Sequence, residues 1–402
     1  MKTVGTVAAS GLLAAMTAFA GFAATSARAQ AETVRVVLLA HRTQITFASG
    51  AGLVVRSQDD SGAAEPMEPQ SPTVLDVRAT AVGLLLGNAV AAPARLMIAA
   101  AKDAPLIIDG RAFRGTAIVQ RDGVGTFRVI NIIDMEQYLY GVVPAEMDAG
   151  WPAAALQAQA IVARTYALSR LGSHESDGFD VYAGERDQVY RGAALESQET
   201  TDAVDATRGL VLSYANRPVH AYYCSSDGGY TTDGSALGDL QPYLIAQRDP
   251  WEASQSSLHW TARLSLEALA AALKRKRWGD VGTIQTISPG TPDVSGRLQT
   301  VVFSGSAGGT AISGTSFRSL AGSRVVKSTR IDGLVIDQDN VVVNGSGSGH
   351  GVGMSQWGAR DMAAGGHNAQ DILSFYYRGT TLVRMDALPL APASPAAPGH
   401  SR

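Results

Sequence analysis

The stretch Gly141–Leu168, GVVPAEMDAGWPAAALQAQAIVARTYAL, decides how this chain is read. It opens on a short apolar run, breaks at Pro144, presents one carboxylate at Glu146 and closes on Trp151-Pro152 ahead of a helical pattern. Leu156, Ala160, Ala163 and Ala167 recur at helical spacing. Pro152 suits the first helical position, where its missing N–H would have no partner anyway. Gly172 stands where a glycine commonly ends a helix. This reading puts Glu146 on a loop just before a rigid helix, and loops held on a scaffold often carry reacting groups. Without that frame, a lone Glu in a turn is an ordinary surface residue.

Upstream, FRGTAIVQRDGVGTFRVINIIDMEQYL predicts two strands around the turn Arg121-Asp122-Gly123, leading directly into the Glu146 loop. Further upstream TVRVVLL, QITFAS, LVVRS, TVLDVRA and RLMIAA are short, rich in Val, Ile and Leu, and divided by turn residues, so residues 30–104 read as a β-rich N-terminal region. The polar stretch Gln58–Pro72 is a loop or linker. That region is either an accessory binding module or the first layer of one domain. Downstream, Glu199–Thr207 and Leu264–Leu273 read as helices. Strands are expected at Leu210–Tyr214, Val219–Cys224, Leu298–Phe303 and Leu334–Val343, and Asn368 with Asp371 should cap a final helix. Strands and helices intersperse without steady β-α-β alternation, so the fold class is α+β, an antiparallel-sheet-rich core with a few helices.

The ends read differently. Lys2, the apolar run Val7–Ala24 and Ala27-Arg28-Ala29 make residues 1–29 a secretory signal peptide. Residues 386–402 form a Pro/Ala-rich tail expected to be disordered. The chain after the leader, about 370 residues, is long enough for a large core and two domains, with the second taken as residues 105–385. Hydrophobic content of 46% and charged content of 17% mark a globular chain. A net charge of −3 argues against nucleic acid as a partner. Cys224 is the single cysteine, so no internal disulfide forms and a four-cysteine zinc site is excluded.

The segment Gly141–Leu168 resembles the signature stretch of the SpoIID/LytB family of bacterial cell-wall proteins. DQVYRG (Asp187–Gly192), YYCSSDGGYTT (Tyr222–Thr232), SGTSFRSLAG (Ser313–Gly322) and GSGHGVGMSQWGARDMAAGG (Gly347–Gly366) match it in the same order. Together the matches run from Phe113 to Arg384. The resemblance implies a lytic transglycosylase acting on peptidoglycan glycan strands stripped of stem peptides, with Glu146 as its catalytic acid and base. Such an enzyme works with one carboxylate. Glu protonates the oxygen bridging N-acetylmuramic acid and N-acetylglucosamine, then takes the proton of the sugar's own C6 hydroxyl as a 1,6-anhydro ring closes. A hydrolytic muramidase would need a second carboxylate about 5–9.5 Å away, for which Asp187 and Asp227 are the candidates. The family name also implies a non-catalytic alternative, a wall-binding protein that stimulates an amidase.

Substrate contacts are expected from Gln188, Tyr190, Ser225, Ser226, His350 and Gln356. The glycine run Gly345–Gly353 lacks the lysine of a phosphate loop. It either lets the backbone approach a glycan, with His350, Gln356 and Trp357 beside it, or serves tight packing. Ser225 and Ser226 have no nucleophile-elbow motif around them. Some relatives resemble metal proteins through a Cys/His cluster, and this chain lacks that ligand set, so no metal or cofactor is expected and Cys224 reads as a small buried hydrophobe. Burial against Met147, Trp151 and Tyr190 is expected to raise the Glu146 pKa. The leader implies an extracytoplasmic protein with no membrane span after cleavage near Ala29. N-terminal sequencing of the exported protein should then begin at Gln30, and Met1 on cytoplasmic material would refute this.

Overall fold

The computed structural model describes residues 32–58, 64–66, 72–87, 89–92, 95–252 and 258–389. The leader expected over residues 1–29, most of the Gln58–Pro72 stretch and the tail from residue 390 lie outside the described residues. The fold is α+β, with antiparallel sheets predominating and a β-rich N-terminal part.

One sheet runs in the order Val181–Tyr182, Thr33–Arg42, Thr126–Asp134, Thr116–Gly123, Arg95–Ala100, Leu53–Gln58, Ala64–Pro66. A second runs Arg111–Phe113, Leu106–Ile108, Gln44–Ala48, Val74–Ala79, Leu84–Leu86, Ala89–Ala92. Alternating apolar residues of both, such as Phe47, Val77, Leu96, Ile98, Phe127 and Val129, meet in a single core. Pairing crosses residue 104. Arg95–Ala100 pairs with Thr116–Gly123, and Thr33–Arg42 pairs with Thr126–Asp134 from Thr33↔Asp134 to Arg42↔Phe127. The hairpin turn falls at Val124-Gly125, later than the sequence suggested, because Gly123 still pairs with Thr126.

Two helices follow. Helix α1 spans Met135–Glu146 and helix α2 Ala153–Arg170. Asp134 starts α1, its side chain accepting from the Glu136 and Gln137 N–H groups. Pro144 lies inside α1, so Glu146 is the last residue of a helix and not a loop residue as the sequence suggested. A proline tolerated in the last turn of a well-capped, packed helix was misread as a break. Pro152 is the residue before α2 rather than its first. Helix α2 is buried on nearly every side. Ala160, Ala163 and Ala167 pack into the sheet core, while Leu156, Ala158, Ile161 and Val162 pack into a second core with Met354, Ala359, Met362, Ile372, Leu373 and Tyr376. Its small side chains let neighbours close on it from both sides, as expected of a helix that is apolar all round.

The remaining helices are α3 Gln198–Ala206, α4 Leu266–Arg275, α5 Gly314–Ala321, α6 Gln356–Ala364 and α7 Ala369–Tyr376. Asn368 and Asp371 form the expected capping box on α7. Leu264 belongs to the strand His259–Ser265, and α4 begins after it. Leu334–Val343 divides into two hairpin strands, Ile331–Asp337 and Asn340–Ser346. Only Tyr223–Cys224 of the stretch Val219–Cys224 is strand, preceded by Arg217–Pro218. A third core, around Trp260, Leu273, Phe303, Phe317 and Val341, joins α4, α5 and the strands of residues 259–346. Among the described residues no helix is long and apolar enough to cross a membrane.

Helices α1, α2 and α3 and the strand Leu210–Tyr214 meet at one buried ion pair. Arg164 donates to both Glu136 oxygens, Nε–Oε1 3.0 Å and Nη2–Oε2 2.6 Å. It also donates to the carbonyls of Leu210 and Val204, and the Gly209 N–H donates to Glu136. Truncating one member of such a pair strands a buried charge, at about 3–5 kcal/mol, whereas replacing both with apolar groups of similar volume is often neutral. Arg164→Ala should therefore lose stability on that scale in chemical denaturation, and Glu136→Leu/Arg164→Met should recover most of it. A double variant as unstable as Arg164→Ala would refute this account.

Candidate functional site

The Glu146 side chain opens into a cleft of about 820 Å³, whose lining also includes Asp187, Tyr222, Tyr223, Ser225, His350 and Trp357. Such a volume is in the range of ligand clefts. Glu146 Oε1 accepts the Val189 N–H at 2.7 Å, and Oε2 lies 3.5 Å from Gln356 Nε2. The Tyr223 hydroxyl also hydrogen-bonds this carboxyl. These groups make its polar contacts. Loss of hydration pushes the Glu146 pKa up, against the opposing pull of these three donors. Its place at the C-terminal end of α1 acts in the same direction, because the negative end of a helix dipole disfavours a carboxylate.

Beneath the carboxyl lies a row of buried polar groups. Gln188 is buried; its Oε1 accepts from Tyr138 and its Nε2 donates to the Ala163 carbonyl and the Tyr223 hydroxyl. Tyr190 is also enclosed, donating to Asn131 and packing on Tyr138. Both were expected at the substrate surface. The structure instead seats them below it, where Gln188 orients Tyr223. Gln356, at the start of α6, is buried between Glu146 and Gln159.

Ser225 lines the cleft, whereas Ser226 turns away and hydrogen-bonds Glu252 in the interior. His350 also lines the cleft. Its Nδ1 accepts the Val352 N–H, its ring bonds the Tyr223 backbone, and desolvation together with the nearby Arg297 and Arg318 charges lowers its pKa to about 4. It is a neutral imidazole at neutral pH. The flanking glycines serve close packing: a Cβ on Gly351 would meet the Arg297 guanidinium at 2.0 Å, and one on Gly353 the Tyr222 carbonyl at 2.0 Å, both with φ positive. Trp357 stands on the cleft wall beside Trp151, ring centroids 5.2 Å apart, with Arg360 over its face at 4.1 Å.

The two other carboxylates differ. Asp187 reaches the cleft, but its oxygens accept from Tyr166 and the Tyr182 N–H, with Arg170 at 3.6 Å. Asp227 is buried with Asp249 and Glu252 behind the loop that carries Ser225. Such a trio has the donor chemistry of a hard-cation site; most of its oxygens have hydrogen-bond partners, while the buried Asp227 Oδ2 has none among the described residues. Gly229 N–H donates to Asp227, Trp251 N–H and Tyr376 hydroxyl to Asp249, and Ser226, Ser355 and the Asp227 N–H to Glu252. Burial, with the charges of Asp249 and Glu252, pushes the Asp227 pKa well above its ordinary 3.8 and favours its protonated form. Cys224 is buried, with its thiol pushed up to about 12.

Tyr223 and the cleft cations Arg318, Arg324 and Lys327 were not singled out from sequence. The motifs YYCSSDGGYTT and SGTSFRSLAG contain Tyr223 and Arg318, but nothing in them tells an inward side chain from an outward one.

A raised folded pKa adds stability that is full below the unfolded value, near 3.8 for Asp227, and is lost as pH rises through the folded value. The loss is about 1.4 kcal/mol per pH unit between the two. Asp227→Asn keeps the shape without the proton. Measured by thermal unfolding against pH, it should gain on wild type as pH rises above 3.8 and show a flatter profile. A variant destabilised equally at every pH would refute the raised Asp227 pKa.

Comparison with known proteins finds related chains. The family model described as Stage II sporulation protein matches residues 124–214, the sheet edge and helices that carry Glu146. An uncharacterised protein of Brachyspira hyodysenteriae is 33% identical over 268 residues, 64% of this chain and 69% of that one. Stage II sporulation protein D of Bacillus subtilis is 31% identical over 273 residues, 63% of this chain and 76% of that protein. The Amidase enhancer of the same organism is 31% identical over 293 residues, 61% of this chain but 40% of its own length. By its matched signature segment and its coverage of these relatives, the chain belongs to the SpoIID family.

Proposed function

We propose that this protein is a lytic transglycosylase of the bacterial cell wall that cuts the bond between N-acetylmuramic acid and N-acetylglucosamine in glycan strands stripped of stem peptides. The observation that carries this reading is the Glu146 carboxyl, poised over an open cleft with its pKa raised by burial. A general acid must hold its proton near working pH, and burial is the usual means. Oε1 is anchored by the Val189 N–H at 2.7 Å, Oε2 has the long contact to Gln356 at 3.5 Å, and the Tyr223 hydroxyl also bonds the carboxyl. Oε2 is therefore the atom that gives its proton to the bridging oxygen and then removes the proton of the C6 hydroxyl as that oxygen closes on the anomeric carbon. One group serves both steps, so no water is required. The commitment of Asp187 to Tyr166, Tyr182 and Arg170 favours this route over hydrolysis, which would need a second free carboxylate. Trp357 offers a face for a sugar ring.

A second reading follows from the likeness to an Amidase enhancer. Under it the same cleft binds glycan without cutting, and the partner is a cell-wall amidase.

Glu146→Gln should fold normally and lose cleavage of purified glycan strands by about 10²–10⁴-fold, toward the upper end because one group acts twice. Mass spectrometry should find 1,6-anhydro-muramic ends with the wild type. Reducing ends would point to a muramidase. Intact strands with an added amidase still stimulated by the Gln variant would establish the second reading. The alkaline limb of the kcat/KM profile should lie above the ordinary carboxylate range and vanish in the variant.

A further inference from the structure

One wall of the cleft carries charge that proton transfer at Glu146 does not use. Helix α5 and the loop after it bring Arg318, Arg324 and Lys327 into the cleft lining. Arg318 Nε donates to the Lys327 carbonyl at 3.0 Å, folding the segment back on itself. Lys327 is held against the glycine-rich loop in turn, its carbonyl accepting the Gly349 N–H at 2.9 Å. Arg324 and Lys327 are exposed and Arg318 is half-buried.

Arg164, Arg170 and Arg360 nearby pair with the carboxylates of Glu136, Asp187 and Asp361, whereas Arg186, also in the cleft lining, lies over the Tyr182 ring and buried Arg297 donates to the Tyr230 and Asp227 carbonyls. Arg318, Arg324 and Lys327 make no ion pair among the described residues. The other acids of the cleft offer them little. Glu146 holds a raised pKa, Asp187 is taken by Arg170, and Glu185 is exposed and acts on Arg318 only through space. Desolvation holds Arg318 below its ordinary pKa against the opposing pull of the Glu185 charge. A guanidinium matches a carboxylate with two parallel hydrogen bonds.

On the glycan-strand reading given above, the sugars themselves are neutral but for one group. Each muramic residue bears an ether-linked lactyl carboxyl, which is an amide while a peptide is attached and a free carboxylate once the peptide is removed. We propose that Arg318, Arg324 and Lys327 form a subsite for that free lactyl carboxylate, so that the cleft selects stripped strands by their charge and not only by their slimness. The subsite implies a preceding reaction that cleaves the lactyl amide and thereby creates the anion it binds.

The test measures binding in the Glu146→Gln background, where strands stay intact. Peptide-free glycan strands are compared with the same strands converted to methyl esters. The free acid should bind about tenfold more tightly at low ionic strength, with the gap closing as salt is raised. Arg324→Ala/Lys327→Ala, both at exposed positions, should narrow the gap, and adding Arg318→Gln should abolish it while affinity for the ester stays unchanged. Equal binding of acid and ester by the parent, or a gap that survives all three substitutions, would overturn the subsite. Cleavage assays on the protein with Glu146 intact separate the two ideas. Strands cut without regard to esterification keep the transglycosylase and sink the subsite. Strands left uncut but bound with a preference for the acid do the reverse.

Discussion

The bidentate pair between Arg164 and Glu136 is the constraint on which the rest depends. Each charge is costly to bury, and each is tolerable only because the other completes it along with the carbonyls of Leu210 and Val204 and the Gly209 N–H. The pair holds only when α1, α2, α3 and the strand Leu210–Tyr214 adopt one relative placement. Glu136 lies in the first turn of α1, and Glu146 ends the same helix. A rigid helix of twelve residues thus converts the position of a buried salt bridge into the position of the candidate acid.

Helix α2 completes that frame by being small. Alanines at positions 155, 158, 160, 163 and 167 are fully enclosed, and two separate cores close on its opposite faces. Close packing leaves little freedom for α1 against α2. The same economy of side-chain volume recurs across the cleft, where Gly351 and Gly353 let residues 222–224 and Arg297 approach the loop. The cleft is therefore bounded by backbone that cannot drift far, and its polar side chains project from fixed points.

Electrostatics then divide the labour among carboxyls of similar chemistry. Glu146 faces the cleft at a helix C-terminus with few compensating donors, and keeps its proton more readily. Asp187 faces the same cleft but is tied to Arg170, Tyr166 and Tyr182. Asp227, Asp249 and Glu252 are buried together, and burial with the neighbouring charges pushes the Asp227 pKa up. Neighbours, not residue type, separate an acid from an anchor.

The family, the fold class, the carboxylate at Glu146 and most strands were legible in the sequence, because these rest on local patterns: alternation in TVRVVLL and QITFAS, the helical recurrence of Leu156, Ala160 and Ala163, and an ordered series of motifs. The capping box at Asn368 was legible for the same reason. The helix around Pro144 was not, since its stability comes from the Asp134 cap and from burial of Tyr138, Leu139 and Val142, which outweigh one lost backbone bond. Nor were the inward turns of Gln188, Tyr190 and Ser226 or the cation wall at Arg318, Arg324 and Lys327. Which way a polar side chain faces depends on partners such as Tyr138, Asn131 and Glu252, far away in the chain. By itself the sequence determined most of the elements and singled out the candidate carboxylate. Only the tertiary structure decided which polar residues meet solvent and which hold the wall in place, because that choice is made by long-range hydrogen bonds and by the charge each buried group must answer.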